Sequence, residues 1–207
     1  MSTIKVNNIQ DVKTLTIGDA TAEDTKIVFD GNAQDFHIGL DDSADSLTIG
    51  LGSTLGTTSH MVIDANGHIT MPLQSAFSVT KSAHQLNYSG SSTVTFNTEI
   101  FDQNSDFTNN TFTAPVTGRY QLSYNLYLDG ISSDANWLEA KIVTSNRSYF
   151  NNIDPNIGDN VFWNLNSSLL VDMDANDTAY LVLAVHSGSN HDDDINLVST
   201  FHGFLAC

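Results

Sequence analysis

The feature that most constrains the fold of this chain is a run of alternating apolar residues. After Gly118, large apolar side chains occupy every second position from Tyr120 to Leu128, and most residues between them are polar. This period of two is that of a β-strand with one buried face and one open face. Pro115 and Gly118 precede the run, and both residue types are typical of a connection between strands. The run therefore predicts a long strand over the apolar core of an all-β domain.

Aromatic residues recur on both sides of this predicted strand. Phe96, Phe107 and Phe112 precede it, and Phe201 and Phe204 lie near the end of the chain. Rings at such intervals are typical of the interior of a β-sandwich, where they contribute most of the buried area. Four residues of this pattern are predicted to lie in the core: Phe112, Tyr120, Leu122 and Phe204.

The complete pattern resembles that of the C1q/TNF-like jelly-roll family. It reads F-x5-D-x4-F-x4-F-x5-G-x-Y-x-L-x-Y from Phe96 to Tyr124, with Leu122 where the family usually has Phe. Residues 201–205 look like the last strand of the family, F-x-G-F-L, and residues 168–183 look like its hairpin of two buried strands around an acidic turn. The resemblance implies a jelly-roll β-sandwich and a homotrimer.

Residues 1–73 differ from the rest of the chain, because they contain no Trp, Tyr or Arg and only two Phe. A short apolar-x-Ile-Gly unit begins at Leu15, Phe36 and Leu47, and Asp-Gly and Asn-Gly turn signals lie between the strand-like pieces. Short β repeats cannot bury their apolar side chains alone. We interpret this region as a short-stranded β stem in which three chains are intertwined. The alternative is a flexible linker rich in Gly, Asp and Thr.

A second resemblance lies at the two ends of this region. Residues 1–10 look like the start of tail-fibre and virion proteins of marine bacteriophages. Residues 63–77 look like the junction that joins a β stem to a C1q-like head in such proteins, with Phe77 beginning the first strand of the head. The resemblance implies two domains: a β stem and virion attachment region at 1–73, and a C1q-like jelly-roll head at 74–207.

The charge of the chain excludes several classes of partner. Seven Lys and Arg residues against 24 Asp and Glu residues give a net charge of −17. Nucleic-acid binding requires clustered cations, and no Lys or Arg lies between Lys26 and Lys81 or after Arg147. No apolar run suits membrane insertion, and the first residues lack the core of a signal peptide. We therefore expect a virion protein that is assembled in the host cytoplasm without Sec export.

The sequence contains no recognisable catalytic motif. It has no H-E-x-x-H pattern, and its single cysteine, Cys207, excludes both a cysteine-rich metal site and an intrachain disulfide. We predict a protein that is not an enzyme and requires no cofactor. The one candidate metal site is a run of hard oxygen ligands that suits Ca²⁺, with a solvated acidic loop as the alternative. Its residues are Asp192, Asp193 and Asp194.

Aromatic residues in the segment 129–164, which we predict to be a long loop, are the candidate receptor-binding residues. Trp137, Tyr149 and Trp163 lie there among Asn and Asp residues, and aromatic faces beside polar side chains are typical of glycan sites. Trp137 and Trp163 could equally lie in the core or in a trimer interface.

Together these observations predict a homotrimeric structural fibre protein of a bacteriophage. Its predicted partners are other copies of itself, other virion proteins through the N-terminal region, and a host cell-surface glycan bound by the distal head. One alternative is a capsid or neck decoration that stabilises the particle and binds no receptor. Another is a bacterial C1q-like lectin or adhesin.

Overall fold

The computed structural model describes residues 9–88, 90–131, 135–154, 162–187 and 193–207. Every regular element in these residues is a β-strand, so the prediction of an all-β fold is confirmed. The chain divides into two compact units, Met1–Leu73 and Gln74–Cys207.

The N-terminal unit contains one antiparallel sheet of five strands in chain order, which we call sheet I. Its strands are β1 (Thr25–Phe29), β2 (Phe36–Asp41), β3 (Ser46–Leu51), β4 (Ser59–Ile63) and β5 (Ile69–Thr70). Strands β2 and β3 are the second and third copies of the apolar-x-Ile-Gly unit, and they pair with each other. These strands hydrogen-bond within one chain, and the intertwined trimeric stem stays a prediction.

The first copy of the repeat is not a strand, and the prediction was wrong there. Residues 15–18 belong to no sheet. Gly18 has a φ of 100°, a left-handed conformation that turns the backbone out of the extended form directly after Ile17.

The C-terminal unit contains two further antiparallel sheets. Sheet II has the order β14 (Phe162–Met173), β11 (Gly118–Asp129), β17 (Thr200–Leu205), β6 (Ala76–Thr80) and β8 (Thr98–Asp102), and β16 (Asp194–Ile195) also pairs with β11. Sheet III has the order β13 (Ser148–Ile153), β12 (Ala135–Thr144), β15 (Thr178–Ser187), β10 (Thr111–Thr113) and β9 (Phe107–Thr108), and β7 (Gly90–Thr93) also pairs with β15. Side chains from both sheets form one apolar core.

Strand β11 is the long strand that the alternation predicts. The side chains of Tyr120, Leu122 and Leu126 are fully buried and Tyr124 is nearly so, whereas the polar residues between them are partly exposed. The Tyr120 hydroxyl donates a hydrogen bond of 2.7 Å to the Val116 carbonyl, which holds the connection from β10 to β11. Phe112 is also fully buried, and its ring stacks on that of Phe77 with centroids 4.8 Å apart. The predictions for Phe112, Tyr120 and Leu122 are therefore in agreement with the structure.

Phe204 is not a core residue, and this prediction was wrong. Its side chain is 49 % exposed, on the outer face of sheet II. Phe201 and Gly203 of the same strand are buried, and with a period of two Phe204 must then point outward. A Cβ at Gly203 would lie 2.5 Å from the Leu122 Cδ2 atom, so only glycine fits between these strands.

The segment 129–164 is not a long loop. It contains β12, β13 and the start of β14, and Leu138, Ala140 and Ile142 alternate inward along β12. Residues 145–147 form the tight turn between β12 and β13, and residues 132–134 and 155–161 of this segment lie outside the described part of the chain.

The two strands around the acidic turn do not form a hairpin with each other. Strand β14 pairs with β11 in sheet II, whereas β15 pairs with β12 in sheet III. The connection between them, Asp174–Asp177, therefore crosses from one sheet to the other. Side chains of both strands reach the shared core, from β14 at the edge of sheet II and from β15 in the middle of sheet III.

Candidate functional site

The outer face of sheet II presents several large apolar side chains to solvent. Register places Leu170, Gln121 and Phe204 side by side on β14, β11 and β17. His202 lies beside Phe204 on β17, and Phe101 of β8 is in register with Ser78 of β6, next to His202. We call these five residues the outer patch: Phe101, Gln121, Leu170, His202 and Phe204.

The outer patch is open to solvent. Leu170 is 58 % exposed, and Phe101 is 50 % exposed. Between Phe101 and Phe204 runs a groove of about 470 Å³, with His202 in its wall. Large apolar side chains with this exposure, arranged on a flat sheet, are typical of a protein-binding surface rather than of a glycan site.

Charged groups stand at the ends of the strands rather than within the outer patch. His202 is its one titratable side chain, and partial burial lowers the pKa of this imidazole, so it is neutral at physiological pH. Beside it, the hydroxyls of Ser123 and Ser168 hydrogen-bond to each other at 2.7 Å, so these polar groups do not require water. The arrangement suits association with another uncharged apolar surface.

No motif in the sequence predicts the outer positions of Phe101, Leu170 and His202. A signal was present at Leu169–Leu170 and at Phe204–Leu205, where two large apolar residues are adjacent. Neighbours on a strand point to opposite faces. One member of each pair therefore lies outside the core, which indicates a strand that is covered on both sides in the assembled protein.

Trp137 lies on the outer face of sheet III. Its ring stacks on that of His186 of β15, with centroids 3.6 Å apart and an angle of 6°. Farther along the same face, Lys141 forms an ion pair of 2.8 Å with Glu139, and its ammonium lies 5.3 Å from the centroid of the Phe150 ring. This face thus combines two aromatic rings with polar groups.

Tyr149 and Trp163 occupy different positions from Trp137. Both are partly buried and pack against the apolar core, Tyr149 from β13 at the edge of sheet III and Trp163 from β14 at the edge of sheet II. These edge strands also contact each other, since the Asn151 side chain donates a hydrogen bond of 3.0 Å to the Asn166 carbonyl. The structure therefore does not join the three predicted residues in one exposed cluster.

The candidate calcium ligands lie partly outside the described residues, because Asp192 is not among them. Asp193 is 4 % exposed, and its carbonyl accepts a hydrogen bond from the Tyr88 N–H. One Asp194 carboxylate oxygen accepts a hydrogen bond of 2.8 Å from the Asn87 N–H. In the part of the chain that the structure describes, no group of three His, Cys, Asp or Glu side chains could hold a metal ion. A calcium site here stays a prediction.

Lys81 is a buried cation at the end of β6. Its side chain is almost inaccessible, and its ammonium donates hydrogen bonds to the Thr95 carbonyl at 2.6 Å and to the side-chain oxygens of Thr95 and Gln85 at 3.0 Å. Burial without a carboxylate among these acceptors lowers the pKa of Lys81 from 10.5 to about 8.

This lowered pKa predicts a pH dependence of stability. Between pH 8 and pH 10.5 the unfolded chain still holds the Lys81 proton that the folded chain has released. The free energy of unfolding should therefore rise with pH across this window relative to Lys81→Met, by at most about 3 kcal/mol. Urea unfolding of both proteins at pH 7 and pH 10 measures the difference, in which the tyrosines common to both cancel. A difference that is the same at both pH values would contradict the assignment.

No helix that could cross a bilayer occurs among the residues that the structure describes.

Comparison with known proteins identifies the architecture of the C-terminal unit. A model of the C1q domain matches residues 76–206. The globular domain of zebrafish complement 1qA protein is similar in structure, with a TM-score of 0.51 and 19 % identity over 65 % of this chain and 98 % of that chain. Murine APRIL at pH 8.5 aligns with a TM-score of 0.45 and 10 % identity, over 64 % of this chain and 98 % of that chain. A search of curated proteins found no match. The match to the C1q domain and the similarity to the zebrafish globular domain confirm the predicted C1q/TNF-like jelly roll.

Proposed function

The chain belongs to the C1q domain family, and from that premise we propose that it is a homotrimeric structural fibre protein of a bacteriophage. Its C-terminal unit assembles three copies through the outer patch and faces the host surface. Its N-terminal unit is attached to other proteins of the particle. It is assembled in the cytoplasm of the host cell, and its role is association and binding rather than catalysis.

The observation that carries the trimer is the outer patch. The chain has a net charge of −17, so copies that approach each other through most of its surface repel. The outer patch instead presents Phe101, Leu170 and Phe204, each about half exposed and none charged. Burying such side chains contributes about 1.5–3 kcal/mol for each residue relative to leaving it exposed. Association through this face therefore stabilises the trimer and keeps the acidic groups apart.

The resemblance of residues 1–10 and 63–77 to structural proteins of marine phages supports the place of the chain on a virion. The order of the two units along the chain supports the same role, since the N-terminal unit can be anchored to the particle while the C-terminal unit is free to contact the host. With sheet II at the trimer interface, the outer face of sheet III stays accessible. We therefore assign host-surface binding to that face, around Trp137, with a glycan as the ligand class.

Trp137→Ala tests this assignment in purified full-length protein. A lost aromatic platform weakens binding by about 1 kcal/mol, which is roughly fivefold in affinity. Adsorption of labelled protein to host cells should fall by about this factor, while the melting temperature and the mass by light scattering stay unchanged. Val116→Ala is the control, because Val116 is 48 % exposed in the connection from β10 to β11, away from the outer faces of both sheets. Equal adsorption by both variants would contradict the assignment.

A decoration protein without a receptor is the second candidate function. It is favoured by the positions of Tyr149 and Trp163. Both pack against the core, so neither joins Trp137 in an exposed aromatic cluster that could bind a glycan. Gold-labelled antibodies against this chain distinguish the candidates in electron micrographs of phage particles. Label at the distal ends of fibres supports the proposed function, label over the capsid supports decoration, and particles without label contradict both.

A further inference from the structure

Sheet I has an unusual distribution of side chains between its two faces. Register aligns its apolar residues in three rows that run across the strands on one face. The rows are Ile27–Ile38–Ile49–Met61, Leu40–Leu47–Ile63–Ile69 and Phe29–Phe36–Leu51. We call this surface the N-terminal apolar face.

The opposite face of sheet I is the one that the chain itself covers. Residues 52–58 fold over it, and the buried His37 ring hydrogen-bonds through Nδ1 to the Gly52 carbonyl at 2.9 Å. Leu55 of this segment packs directly on Gly39, where a Cβ would lie 2.9 Å from the Leu55 Cδ2 atom. Thr48 on this face is also buried. The face of sheet I that carries small and polar side chains is therefore the covered face.

The N-terminal apolar face is left open. Phe29 is 55 % exposed, Leu40 47 % and Ile38 38 %, although Ile38 is in the central row. Large apolar side chains that are this exposed and lie side by side form a contiguous patch, and large patches of this kind are rare on soluble monomers. A β-sheet in water normally covers its apolar face and leaves its polar face open. In sheet I the reverse holds, which indicates that something else covers this face.

We propose that the N-terminal apolar face is a second self-association surface, on which the N-terminal units of the other copies in the same assembly pack. The three rows contain no Lys, Arg, Asp or Glu, so copies can approach here without the repulsion that their acidic surfaces impose. Flat rows of Ile and Leu also fit one another at the spacing of about 10 Å at which two sheets pack.

The size of the face explains why it associates only within an assembly. A stable interface buries about 800 Å² and about 20–30 residues on each partner, whereas the three rows contain eleven residues. The inference therefore rests on the proposed homotrimer, because C-terminal units that are held together raise the effective concentration of the tethered N-terminal units to about the millimolar range. At this effective concentration, the weak contact between the N-terminal units is sufficient for them to associate.

Cysteine labelling of the full-length chain tests this inference. In a Cys207→Ser background, Ile38→Cys and Leu47→Cys each place one thiol on the N-terminal apolar face. Lys26→Cys places one on the opposite face, at a position on the edge strand β1 where the side chain is exposed. A maleimide dye should react with the thiols on the apolar face at least tenfold more slowly than with the Lys26→Cys thiol. In urea all three proteins should react at the same rate.

Light scattering on the same samples separates the two proposals. A mass of three chains with protected thiols at positions 38 and 47 supports both. A mass of three chains in which these thiols react as fast as the Lys26→Cys thiol overturns this inference and leaves the homotrimer standing, and it means that another protein of the particle covers the face. A mass of one chain overturns the homotrimer and this inference with it.

Discussion

Replacing Phe112 by Ala is expected to lower the free energy of unfolding of the C-terminal unit by about 3–5 kcal/mol. The Phe112 ring is fully buried, stacks on Phe77 at 4.8 Å and lies 5.4 Å from the Tyr120 ring. It belongs to sheet III, whereas Phe77 and Tyr120 belong to sheet II. Its removal therefore leaves a cavity where the two sheets meet, and the rigid strands around it cannot close that cavity.

Urea unfolding followed by tryptophan fluorescence measures this effect. Phe150→Ala is the control, because Phe150 is 60 % exposed on the outer face of sheet III and its truncation should change stability by about 0.5 kcal/mol or less. If Phe112→Ala and Phe150→Ala unfold at the same urea concentration, the stacked core between the sheets is not as described.

Phe112 and its partners could be predicted from the sequence because the information is local. A period of two over β11 shows which side chains share a face, and the pattern from Phe96 to Tyr124 shows which family arrangement they adopt. The pairing of β14 and β15 is not local. Both strands contribute side chains to the core, but the residues of a four-residue turn do not show whether the strands pair with each other or belong to different sheets. Only their partners β11 and β12 decide it.

Phe204 illustrates a different limit. Phe201 and Phe204 are three residues apart, so on one strand they must point to opposite faces. The sequence contains this conflict but not its solution, which depends on Leu122 filling the space above Gly203. The candidate site follows from that solution, because the Phe that the core does not accept becomes part of the outer patch. Tyr149 and Trp163 show a related limit. Their positions in the sequence do not show that they pack against the core at the edges of the two sheets, apart from Trp137.

Sheet I shows that alternation predicts strands but not which of their faces is covered. The pattern at residues 36–40 and 47–51 correctly predicts two strands with an apolar side. The covered side is the other one, because the segment 52–58 contacts Gly39 and His37 on the polar face. Apart from the small size of Gly39 and Gly50, few features of the sequence indicate that the segment 52–58 packs on that face.

Phe204→Asp is expected to convert the assembled protein into single chains. Phe204 lies beside Gln121 and His202 in the outer patch, on β17, the central strand of sheet II. Three copies of the variant would bring three carboxylates into an apolar interface, where each ion loses its hydration and repels the other two. No Lys or Arg of the outer patch can compensate them. The N-terminal apolar face is too small to hold the copies together alone.

Light scattering at micromolar concentration should therefore give a mass near 22.5 kDa for Phe204→Asp and three times that mass for the unchanged chain. Phe150→Asp is the matched control, because it makes the same substitution at a similarly exposed ring on sheet III and should keep the assembled mass. Circular dichroism establishes that both variants retain their β-structure, since Phe204 contributes little to the core. Equal masses for the two variants would show that the copies meet through a surface other than the outer patch.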